Sequence, residues 1–162
     1  MNPIDLIGIE QVLLRLSLAT FIGAAFGLNR DLHGKAAGVR THALIGLGAA
    51  LVTMTALSPY GGYAGPDPNA IGRIVQGILT GIGFVGAGVI LRDPTGKVSG
   101  LTTAATIWIC AAIGITCGLG YWKVMALASG LAFVVLLLGK TVEHLGERFF
   151  KPTRKPSVID DP

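Results

Sequence analysis

Two short polar stretches carry the side chains best suited to chemistry. Asn29, Arg30 and Asp31 precede one turn, and Arg40, Thr41 and His42 follow it. Arg92 precedes a second turn, and Thr102 and Thr103 follow that one. Guanidinium, imidazole and hydroxyl groups gathered at one end of a helix bundle would suit an anion or a lipid phosphate. The plainer reading of Arg40 is an anchor at the membrane surface. Arg15 stands alone inside an apolar run, where a charge is costly and often functional. From that depth its side chain could also reach outward to the interface.

The surrounding chain is built for lipid. Of its 162 residues, 51% are hydrophobic and 14% charged, against about 25% charged in a soluble domain. Mean hydropathy is +0.65. Five apolar runs at 11–29, 41–58, 70–91, 101–118 and 121–139 approach the length of about 20 residues that a membrane-crossing helix needs. Lipid offers an open backbone no partner, so each run is expected to be a helix. The expected fold is an all-α membrane protein of five transmembrane helices. A membrane domain over 1–140 would precede a short amphipathic, flexible cytoplasmic tail over 141–162. Residues 1–10 read as an interfacial lead-in without the positive start of a secretory signal.

The chain carries an internal repeat. At an offset of 62, 10 of the 21 positions from Arg30 to Ala50 are identical to those from Arg92 to Ala112. Spans one and two thus form a helical hairpin duplicated as spans three and four, with a fifth helix added. Hairpins running the same way predict a pseudo-two-fold axis along the membrane normal. Function would then concentrate where the copies differ: at the inserted Asn29, at Arg40 against Thr102, at His42 against Ala104, and at Gly46 and Gly48 against Trp108 and Cys110.

Charge orients the bundle. Ten of the 13 Lys and Arg fall in the turns at 30–40 and 92–100 and in the tail, which puts these in the cytoplasm and the N-terminus outside. Tyr60, Tyr63, Tyr121 and Trp122 would form an outer aromatic belt.

Gly81, Gly83 and Gly86 match the spacing of a dinucleotide fingerprint, but that motif needs a strand before it. Inside a span, glycines serve close helix contact, or mark a locally unwound helix that exposes backbone groups to a ligand. Gly23, Gly27, Gly77, Gly81, Gly86, Gly88 and Gly100 are the candidates for close contact. Between residues 11 and 139 the acids are Asp31, Asp67 and Asp93, all in turns. A cation path usually uses carboxylates inside the membrane, so this pattern argues against cation transport by the chain alone. Cys110 and Cys117 read as small buried residues, not a disulfide or metal site. No nucleophile and base are spaced for catalysis. No enzyme activity, cofactor or metal is expected, and the scattered basic residues exclude a nucleic-acid surface. The bilayer, another membrane protein or a second copy of the chain are the expected partners.

Four motifs carry a resemblance. They are Gly27-Leu28-Asn29-Arg30-Asp31, the stretch Ala37 to Leu44, the stretch Gly81 to Gly88, and the stretch Gly100 to Trp108. Together they resemble the MgtC/SapB family of bacterial inner-membrane proteins. The resemblance implies a five-span domain, adaptation to low magnesium and, in pathogens, survival inside host cells. The family's name suggests transport, whereas better-studied members are thought to act as regulators, including on the ATP synthase. The leading expectation is a non-enzymatic regulator of magnesium or ion homeostasis, and the alternative is a small-solute or Mg²⁺ transporter or channel subunit. Virulence-type members add an ACT-like domain after the last span, but here about 20 residues follow Lys140. Family members commonly have Glu where this chain has Asn29.

Overall fold

In the computed structural model the backbone is described for residues 3–57, 68–92, 94, 96 and 98–149. Tyr60, Tyr63, Asp67, Asp93, Lys97 and the chain from Phe150 onward lie outside the described residues. The described residues are all-α apart from one short ribbon. Its helices are α1 (Pro3–Asp31), α2 (Val39–Thr55), α3 (Pro68–Ala87), α4 (Leu101–Leu119) and α5 (Trp122–Phe149). Four carry stretches long and apolar enough to cross a membrane: Gly8–Asp31, Asn69–Ala87, Leu101–Leu119 and Trp122–Gly139. The fifth, α2, is equally apolar but has 17 residues. Residues to Ser129 form one compact unit, and Gly130 begins a second. Within the second unit the helix runs without a break to Phe149.

Helix ends follow local chemistry. Helix α1 kinks at Gly8, whose φ of 70° departs from helical geometry. Helix α2 begins at Gly38, which offers no side-chain cap. Asp31 takes over that role, accepting the Val39 N–H at 2.9 Å. Helix α3 stops at Ala87, earlier than the apolar run suggests. Leu91 and Arg92 leave it to pair antiparallel with Val98 and Ser99. Gly100, at φ 88°, then turns the chain into α4. A Cβ there would collide with the Val89 carbonyl. Gly120, at φ 76°, ends α4 with its N–H on Cys117 O and the Tyr121 N–H on Thr116 O. That pair of bonds is a Schellman motif, satisfying carbonyls that the helix end would leave open.

Helices α1, α2 and α4 form the core of the first unit. Phe26, Ala50, Ile107, Ala111 and Cys117 are almost fully buried there. Small residues let the backbones touch. A Cβ on Gly23 would strike His42 O, and one on Gly46 would strike Ala19 O. A Cβ on Gly114 would lie 2.5 Å from Gly46 O, and one on Gly118 2.7 Å from Ala50 O. Such contacts bring main-chain dipoles and van der Waals surface together where lipid supplies no hydrophobic drive. Helix α3 packs on this core differently. Val75, Ile78, Leu79 and Ile82 fit against Ala111 and Ile115.

The glycines of the sequence pattern therefore occupy distinct settings. Gly23 and Gly27 stand at the α1–α2 contact. Gly86 is in ordinary contact with the Ala104 Cβ at 3.7 Å. Gly88 faces its own helix end, and Gly100 serves a turn. Gly77, Gly81 and Gly83 have nothing within 4 Å of a Cβ position. Among the described residues no strand precedes Gly81, which lies inside α3, helical through Ala87.

Candidate functional site

The polar residues converge at the end of the first unit where α2 and α4 begin. Arg30 ends α1 and is buried, with 6% exposure. Its Nη2 donates to the Thr103 hydroxyl in the first turn of α4. His42 is fully buried one turn into α2. Its Nδ1 lies 3.2 Å from Gly38 O and its Nε2 3.3 Å from Thr106 Oγ1. Thr106 donates to Thr103 O at 2.8 Å, and Cys110 Sγ donates to His42 O at 3.2 Å.

Proton bookkeeping restricts this cluster. A carbonyl only accepts, so a bond from Nδ1 to Gly38 O requires hydrogen on Nδ1. Thr106 has a single hydrogen and two acceptors within reach. With that hydrogen on Thr103 O, Nε2 must carry its own to bond Thr106 Oγ1. With Nε2 bare, the Thr106 hydroxyl must turn toward it instead. The protonation of His42 and the rotation of Thr106 are thereby coupled.

Of the residues singled out by sequence, Arg30, His42 and Thr103 come together here. Asp31 is exposed and caps α2 from the side. Asn29 is half-buried, and its carbonyl accepts from His33 Nδ1 at 2.6 Å. Arg40, Thr41 and Thr102 are exposed on their helices, and Arg92 is exposed on the ribbon. Arg40 and Thr102 thus stand apart from the buried group. Cys110, marked in the sequence as a place where the two copies differ, joins the site, and so does Thr106, which the sequence reading did not single out. Their signal was their spacing: Thr103, Thr106, Cys110 and Gly114 recur every three or four residues, which places them on one helix face.

Arg15 sits at the opposite end of α4. Its Nη1 donates to Gly118 O at 2.6 Å, and its guanidinium lies 5.9 Å from the Trp122 ring centroid. A cation there also complements the negative end of the α4 dipole. Among the described residues no three His, Cys, Asp or Glu side chains group to hold a metal ion. Cys110 and Cys117 are free thiols.

Helices of this length and composition, packed through small residues around buried polar groups, define a multi-pass membrane protein. The chain belongs to the MgtC family, whose pattern matches residues 16–145. It is 44% identical over 131 residues to SrpB of Synechococcus elongatus, covering 76% of this chain and 71% of that protein. It is 40% identical to YhiD of Escherichia coli K12, covering 78% of this chain and 59% of that protein. It is also 40% identical to MgtC of Salmonella typhimurium LT2, covering 78% of this chain and 49% of that one. The chain thus spans about half the length of MgtC. No solved structure matches.

Proposed function

We propose that this protein is a non-enzymatic regulator of magnesium or ion homeostasis, acting by contact with another membrane protein or with its own copy. It lies in the bacterial inner membrane with its N-terminus outside and its C-terminus in the cytoplasm. Family membership supports the link to magnesium, and YhiD is provisionally named as a magnesium transporter.

The observation that carries the contact is the outer face of α3. Asn69, Arg73, Gln76 and Thr80 follow one another at helical spacing, and all four are exposed in mid-helix or near its start. Gly72, Gly77 and Gly83 leave room beside them. Thr80 satisfies its hydroxyl on Gln76 O at 2.8 Å. Arg73 lies near the helix start, and the Gln76 amide faces outward from a membrane helix, where hydrocarbon cannot bond it. A protein partner with polar groups, brought close by the glycines, would.

Expression in a strain lacking its own family member should restore growth in low magnesium. Purified protein in liposomes should pass no more Mg²⁺ than empty liposomes. Flux above that background would replace this reading with the transporter or channel subunit. Loss of growth with Gln76→Leu, at unchanged protein level, would support contact through α3.

A further inference from the structure

Arg30 is 6% exposed as a residue, and among the described residues its Nε has no hydrogen-bond partner. Its neighbour Asp31 does not neutralise it, since that carboxylate is exposed and turned to the Val39 N–H. A buried cation is tolerated when charge or hydrogen bonds compensate it. The bond to Thr103 is one such compensation, and it fixes the guanidinium at the first turn of α4.

That turn is itself poised for negative charge. Its N-cap is Gly100, which supplies no side-chain acceptor. The helical bonding of α4 begins with the Ala104 N–H on Gly100 O at 2.9 Å. The N–H groups of Leu101, Thr102 and Thr103 precede that bond, so the helix itself offers them no acceptor. At the start of α2 the same need is met by Asp31. Helix N-termini favour anions through these N–H groups and the dipole, and a guanidinium matches phosphate oxygens with its planar fork.

We propose that Arg30 and the first turn of α4 form a binding site for a phosphate-class anion, from a phospholipid headgroup or from free phosphate. Thr103 orients the guanidinium, and the exposed Leu101 and Thr102 leave the turn open from outside. This site goes beyond the regulatory reading and does not depend on it. Its test uses purified protein, not growth.

The experiment is thermal unfolding of the full chain in a neutral detergent. One arm adds inorganic phosphate against sodium chloride of equal ionic strength. The other adds phosphatidylglycerol against phosphatidylcholine. The wild-type midpoint should rise by a few degrees in at least one arm. A rise with phosphate alone assigns a free anion, and a rise with phosphatidylglycerol alone assigns a headgroup. Arg30→Gln should abolish the rise, whereas Arg40→Gln, which removes an equal charge from an exposed position, should keep it. If Arg30→Gln does not fold, Arg30→Lys should show a reduced rise, because it keeps the charge and loses the fork. No wild-type rise in either arm, or a full rise in the Arg30 variant that folds, overturns the site.

Discussion

Arg15 donates from α1 to the main-chain oxygen of Gly118, near the end of α4, at 2.6 Å. Arg30, fifteen residues further along α1, donates to Thr103, fifteen residues earlier on α4. The helices are antiparallel, so equal spacing holds them in register at both ends. Each clamp uses a guanidinium to satisfy a polar group near a helix end that lipid would leave unbonded.

The first clamp predicts a stability effect at Arg15. Arg15→Met keeps most of the apolar stem and removes the bond to Gly118 O. It should cost about 1.5–3 kcal/mol, the range of a hydrogen bond to a charged group. Thermal unfolding in detergent measures this, and an unchanged midpoint would show that Arg15 merely fills space.

At the second clamp, two adjacent threonines should separate. Thr103→Val removes the acceptor for the buried Arg30, so it should lower stability by about 1–3 kcal/mol, the cost of an unsatisfied buried group. Thr102→Val sits on the exposed side and should stay within about 0.5 kcal/mol of wild type. Equal effects at both positions would refute the clamp.

The glycines divide by what surrounds them. Gly114→Leu must push Gly46 O and the Ala49 Cβ apart, so it should lose folded protein or cost at least about 1–3 kcal/mol. Gly77→Leu has nothing within 4 Å and should leave the melting temperature of the single chain unchanged. If α3 meets a partner, the same Gly77 variant should impair growth in low magnesium while folding normally. Size-exclusion yield and thermal unfolding separate these outcomes.

Topology gives the last prediction. The excess of Lys and Arg in two turns and the tail predicts a cytoplasmic C-terminus. A phosphatase reporter fused after Lys155 should be silent and a fluorescent one bright. The opposite pattern would reverse the orientation of every helix.

Composition and run length were enough to determine an all-α membrane protein. Backbone groups in lipid must bond within their own segment, and a run of about 20 apolar residues leaves a helix as the solution. The repeated Arg-Asp and Thr residues were legible too, and so was the family they point to. Sequence could not say which of them would meet. Arg30 and Arg92 are the same residue in corresponding places, as are Thr41 and Thr103. Yet Arg30 is buried against Thr103, while Arg92 and Thr41 are both exposed. The reason lies between the helices: the first Arg continues α1, whereas the second leaves α3 for a two-stranded ribbon. Local pattern sets a residue's own backbone, but burial depends on which neighbours arrive from elsewhere in the chain. That choice was made by the close approach of α1, α2 and α4 through Gly23, Gly46 and Gly114, and it drew Thr106 and Cys110 to His42.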